Sequence, residues 1–217
     1  MFPFLLMSVA GGVVVAVIVG VRRREQRRTA AVRDSAARLG WGFHEEVAFD
    51  AIPDLDRFEL FRQGRRRRLS NLLTSPAGAA RGVVFDYAYT TGGGNSQSRH
   101  HQTVFYGVGD GLGLPTFSVR PQHFGHSIAK AFGYQDIDLA ERPRFSDGFV
   151  LRGEDERAVR DLFGRAAVVD FFEARAGVCA AGAGREVLFW RPGRRARADE
   201  VESLIADGFE LVRRLTG

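Results

Sequence analysis

From Phe2 to Val21 the chain runs twenty residues without a charge, and Arg22, Arg23, Arg24, Arg27 and Arg28 follow at once. At 1.5 Å per residue a helix of that length reaches roughly 30 Å, the thickness of a bilayer's hydrocarbon core. A cleaved leader carries its basic residues before a shorter apolar core and ends on a small-x-small site. Here the arginines come after the core, so the run predicts an uncleaved transmembrane anchor over residues 1–21. Basic flanks stay on the cytoplasmic side. The N-terminus is then expected outside and residues 22–217 inside, in a single-pass protein of the plasma membrane with the lipid bilayer as its first partner. The same five arginines are the expected membrane-interface residues, where each basic side chain near anionic headgroups contributes about 1 kcal/mol. Ser8, Gly12, Ala16 and Gly20 recur every fourth residue. Such a ridge lets two helix backbones approach closely, which predicts a homodimer through the span.

The charge outside that flank is nearly balanced. Of the net +5, the segment Arg22–Arg28 (RRREQRR) holds +4, leaving +1 for the other 210 residues. A basic excess confined to seven residues is a patch, not the broad basic face that phosphate backbones require, so no nucleic-acid partner is expected. Further arginines at Arg65–Arg68 and at Arg191, Arg194, Arg195 and Arg197 read as solvated turns. Cys179 is the one cysteine. It excludes an intramolecular disulfide and a cysteine-rich zinc site, and it suits a reducing compartment. No cofactor and no metal are expected.

The rest reads as an α+β fold, with antiparallel sheet and packing helices. Residues 22–40 form a basic helical stalk ending at Gly40, and residues 41–217 a soluble domain with possible sub-units at about 41–145 and 146–217. Val83–Thr90 (VVFDYAYT) gives the strongest strand signal: Val83, Phe85, Tyr87 and Tyr89 point one way, Val84, Asp86 and Ala88 the other. A glycine-rich tip (TTGGGNSQS) leads into Gln102–Val108, and no helix separates the two strands, so they form a hairpin. Trp41–Ala48, Leu69–Leu73 and Phe117–Arg120 read as further strands, and Val178–Ala181 with Glu186–Arg191 as a second hairpin. Helices are expected at Pro53–Phe61, Pro121–Phe132, Glu154–Phe163 and Val168–Glu173. A last helix has Asp199 and Glu202 at capping-box spacing and an apolar stripe of Val201, Leu204, Ile205, Phe209, Val212 and Leu215. Leu60-Phe61…Gly64 and Leu162-Phe163-Gly164 hint at a duplicated unit.

Chemistry-bearing constellations are sparse, and no catalytic residue is singled out. His123 and His126 lie three apart on a helix, a spacing metals use, but no third ligand stands nearby. His100 and His101 point to opposite faces of a strand. Gly107-x-Gly109-Asp110-Gly111-x-Gly113 leads into an extended segment, not into the helix that a phosphate-cradling loop requires. Asp136 and Asp138 share one side of an extended segment, as a carboxylate pair would.

The run Phe85-Asp86-Tyr87-Ala88-Tyr89-Thr90-Thr91-Gly92, with Leu114-Pro115-Thr116-Phe117, Asp136-Ile137-Asp138 and Phe145-Ser146, resembles uncharacterised bacterial proteins that begin with one membrane helix and an Arg-rich flank. The resemblance implies a bacterial plasma-membrane protein and brings no known activity. The expected function is a membrane-anchored interaction or sensing module on the cytoplasmic side, with an unidentified protein partner. The alternatives are a membrane-proximal hydrolase-like enzyme, drawing on Asp86, Asp136, Asp138, His123 or His126, and a module binding lipid headgroups through Arg22–Arg28 and Arg65–Arg68.

Overall fold

A computed structural model describes residues 3–78, 80–94, 96–122 and 135–217, with side chains described from Val19 onward. The first helix, α1, runs unbroken over Pro3–Leu39. Then follow β1 (Gly42–Val47), two 3-10 turns at Phe49–Ala51 and Leu55–Arg57, α2 (Glu59–Arg62), β2 (Arg65–Thr74), β3 (Ala80–Thr91), β4 (Ser98–Gly109) and β5 (Leu114–Pro121). The C-terminal part supplies α3 (Pro143–Gly148), β6 (Phe149–Gly153), α4 (Glu156–Phe163), α5 (Ala166–Glu173), β7 (Cys179–Gly184), β8 (Glu186–Trp190) and α6 (Val201–Thr216).

The eight strands form one antiparallel sheet in the order β1-β2-β3-β4-β8-β7-β5-β6. The β7–β8 hairpin is inserted between β4 and β5. Tyr106 of β4 pairs with Leu188 of β8, and Val119 of β5 pairs with Ala180 of β7. The loop from Gly109 to Leu114 passes over the hairpin's turn, where the Gly109 amide donates to the Arg185 carbonyl at 3.1 Å. This is the expected α+β class, with both proposed sub-units sharing one sheet.

The alternation of the strands divides the core in two. On one face Val84, Phe105, Phe117, Val119, Val187 and Phe189 meet the long helices. On the other, Phe85, Tyr87, Tyr89, Val104, Tyr106 and Leu188 meet the chain between Ile52 and Phe61. Leu60-Phe61 and Leu162-Phe163 therefore lie on opposite faces. The expected helix over Pro53–Phe61 is only the four residues of α2. Asp54 sits in the left-handed region (φ 57°) and Phe58 is extended, so the segment turns twice before it can coil. Arg65 to Arg68 are part of β2 instead of a turn. The Arg67 guanidinium lies 4.9 Å over the Phe49 ring and donates to the Phe61 carbonyl.

The α6 stripe is the expected one at five of its six positions. Val201, Leu204, Ile205, Gly208, Leu211, Val212 and Leu215 are buried and Phe209 is half-buried. Phe209 packs edge-on against Phe105 and Trp41 and rests on Gly82. The cap forms two residues early, where the Glu200 carboxylate accepts from the Arg197 amide at 2.8 Å.

The largest correction concerns α1. Among the described residues no helix is long and apolar enough to cross a membrane. That overturns the single-pass transmembrane reading, the plasma-membrane placement and the orientation drawn from it. The described side chains of α1, from Val19 onward, include Arg22, Arg23, Arg24, Arg27, Arg28, Arg33 and Arg38 and leave no apolar stretch of the roughly 20 residues that a span needs. The second half of α1 is not a detached stalk either: Val32, Ser35 and Ala36 are buried in the domain. The side chains of Ser8, Gly12 and Ala16 lie outside the described residues, and Gly20 faces open space.

Candidate functional site

The face of the sheet away from the long helices is only partly covered among the described residues. The chain between Ile52 and Phe61 roofs β2, β3 and β4. Beyond it, β7 reads Cys-Ala-Ala-Gly-Ala-Gly, and Cys179, Ala181 and Ala183 with Ser118 of β5 make a floor of small side chains. Phe58 and Leu60 rise on one side and Trp190 at one end. The result is a mostly apolar groove of about 410 Å³, inside the roughly 300–1,000 Å³ range of ligand pockets. It crosses β4, β8, β7, β5 and β6. At the spacing of adjacent strands those four steps measure roughly 19 Å.

Polar groups stand at defined places in it. At the β4 end the Tyr89 ring stacks on His100 with centroids 4.7 Å apart. Tyr89 donates to the Gln63 side chain at 3.3 Å, and His100 shares a 2.8 Å hydrogen bond with Thr91. Arg57 at one rim pairs with Glu186 at 3.0 Å, and Arg152 at the other pairs with Asp136 at 2.6 Å. Two groove atoms are buried without a hydrogen-bond partner: Nε2 of Gln102, whose residue is 2% exposed, and Oε1 of Glu59. Burial raises the Glu59 carboxyl above the ordinary 4.5, and the opposing pull of Arg152, Arg62 and Arg120 is smaller. Burial also pushes the Cys179 thiol up, which removes it from consideration as a nucleophile at neutral pH.

A second polar cluster lies under α1. Asp86, 4% exposed, accepts from Arg28 at 2.6 Å, from Thr103 at 2.6 Å and from Asn71 at 3.0 Å. Thr103 in turn accepts from the Ala196 amide at 2.9 Å. Asn71 reaches Asp86 from an irregular stretch of β2, where its own φ is +50°. Every carboxylate lone pair used here holds an element in place, so the cluster is a clamp joining α1, β2, β3, β4 and the chain at Ala196. Beside it Arg195 pairs with Glu25, whose carboxyl is held low chiefly by that hydrogen bond, and His101 is lowered by burial and by Arg99 and Arg195.

The residues singled out in the sequence are therefore dispersed. Arg28 is inside the domain, while Arg22, Arg23, Arg24 and Arg27 are exposed. Asp86 is in the clamp, Asp136 is on Arg152 at the far side of the sheet, and Asp138 is exposed with its carbonyl taken by Arg160. His123 and His126 lie outside the described residues. His100 and His101 do face opposite sides of β4, one in the groove and one beside Arg195. Among the described residues no three of His, Cys, Asp and Glu come together as a metal requires. The glycine-rich segment Gly107–Gly113 joins two strands, with no helix start for a phosphate. Sequence reasoning passed over Gln102 and Glu59. The run of small residues in β7 was the available signal, because a strand without bulk leaves a hollow on any face that nothing else fills.

No family model matches the chain, and no curated protein matches it. Among solved structures it is similar to the crystal structure of the mycobacterial trehalose monomycolate transport factor A, with a TM-score of 0.56, 11% identity, and coverage of 88% of this chain and 92% of that one. At that identity the likeness extends to the fold and to none of the side-chain chemistry.

Proposed function

We propose that this chain is a non-catalytic interaction module that works by seating an apolar ligand or partner group in the groove over β7 and β5. The observation carrying the reading is that groove: it is large, apolar and floored by Cys179, Ala181, Ala183 and Ser118. The placement of the candidate carboxylates agrees with it: Asp86 is held in the clamp while Asp136 and Asp138 lie elsewhere, and an enzyme would gather its acids around one concavity. A protein of the same fold is named for transport, which also suits binding without chemistry. The test is titration of the full chain with N-phenyl-1-naphthylamine, whose fluorescence rises in apolar surroundings. The wild type is expected to give a saturable rise that Ser118→Trp and Ala183→Trp abolish, with melting temperatures retained. Absence of saturable binding, or binding that both folded variants keep, would overturn the reading.

A further inference from the structure

The groove is unusual in holding one donor and one acceptor that the protein itself leaves unpaired. A buried donor or acceptor without a partner is destabilising, so two in one concavity point to something that completes them. Gln102 is placed there by the alternation of β4, opposite Tyr87 of β3 in register, and its neighbours leave Nε2 unmet. Glu59 opens α2, and its Oε1 is enclosed under the roof of the groove. A ligand group serving both must accept from an amide N–H and donate to a carboxyl oxygen. A hydroxyl does both. A carboxylate on the ligand would meet Glu59 unfavourably. An ammonium has no lone pair with which to accept from the Gln102 amide. The arginines at the two rims are already matched by Glu186 and Asp136, so the recognition left to make is neutral. The remainder of the groove, running roughly 19 Å over small side chains, suits an extended hydrocarbon chain.

We propose that the groove takes a single-chain amphiphile with a neutral hydroxylated head, the head meeting Gln102 and Glu59 and the chain lying across Ala181, Ala183 and Ser118. The proposal rests on the groove reading and adds the chemical class of its occupant. It is tested with the full chain by displacing N-phenyl-1-naphthylamine with 1-oleoylglycerol, oleic acid and methyl oleate, each below the concentration at which it aggregates or separates from water. 1-Oleoylglycerol is expected to displace the dye at a concentration about tenfold lower than the other two, a difference worth roughly 1.4 kcal/mol. Gln102→Leu and Glu59→Leu are expected to raise its displacing concentration by about tenfold each while leaving methyl oleate unchanged. That last readout separates loss of head recognition from damage to the fold. Displacement by methyl oleate or oleic acid at equal or lower concentration would overturn the hydroxylated head while leaving the groove. No displacement by 1-oleoylglycerol, with the dye still bound and still excluded by Ser118→Trp, would overturn the amphiphile. No dye binding at all would remove the groove reading and this inference together.

Discussion

Two residues show how narrowly local choices are set. Gly208 lies on α6 where the Phe105 ring presses against the helix, and a Cβ there would stand 2.3 Å from Phe105 Cγ. Both partners are backbone-anchored in packed elements, so relief requires the helix to lift. Gly208→Ala is expected to lose about 1–3 kcal/mol in urea denaturation, the usual cost of overpacking, even though alanine is the better helix former. An unchanged midpoint would mean that α6 does not sit on Phe105 as described. Asp86 is the opposite case, a charge that requires its neighbours. Asp86→Ala strands the Arg28 guanidinium, whose Nε and Nη1 are already buried without partners, and should destabilise by about 3–5 kcal/mol. The pair Arg28→Met with Asp86→Leu should recover most of that loss, because an apolar pair of similar volume leaves no buried charge. If the double variant is as unstable as the single one, Thr103 and Asn71 depend on the carboxylate more than Arg28 does.

At the scale of elements, α6 and α2 yield separate predictions. Phe209 is half-buried, so Phe209→Ala should cost about 2 kcal/mol, less than the roughly 3–5 kcal/mol of emptying a full phenylalanine site. Chemical denaturation of the two proteins measures it. On α2, burial raises the Glu59 carboxyl above 4.5 in the folded state. Below pH 4.5 the group is protonated both folded and unfolded and carries no penalty. As pH climbs from 4.5 through the raised folded value, the unfolded chain ionises first and folding loses stability. Glu59→Gln removes that titration. Its stability should match the wild type at acidic pH and exceed it near neutrality, read as the difference in urea midpoint against pH. A constant offset across the range would mean that Glu59 is solvated. The strand faces were legible in advance from the alternation of Phe85, Tyr87 and Tyr89 against Val84 and Asp86, because pleat periodicity is local. The break at Asp54 and Phe58 was not, since a short segment follows the surface it roofs.

Over the whole molecule, α1 is an integral part of the domain. Val32 and Ala36 are buried against the sheet, and Ser35 donates to the Ala198 carbonyl at 3.3 Å. A chain starting at Arg22 keeps Arg28, Val32 and Ala36 and should melt near the full chain's temperature. One starting at Trp41 leaves Asp86 buried beside Thr103 and Asn71 without a counter-charge, and should lose at least the 3–5 kcal/mol estimated for the broken pair. Equal thermal stability of the two would show that the helix only leans on the sheet.

What the amino-acid order determined by itself was everything that depends on near neighbours: the α+β class, the antiparallel hairpins, the apolar stripe of the last helix within one turn, and the isolation of Cys179. What it could not determine was which elements meet. The uncharged run Phe2–Val21 reads as a membrane span on length and polarity, yet no helix among the described residues meets that requirement, and the arginines that set the orientation include one, Arg28, that is consumed inside the fold. The insertion of β7 and β8 between β4 and β5 joins residues more than sixty positions apart. Only that insertion brings the small side chains of β7 beneath Glu59 and beside Gln102. Alternation and capping are enforced by bonds a few residues long, whereas a groove is the space left when distant elements have packed, and tertiary structure alone decides its shape.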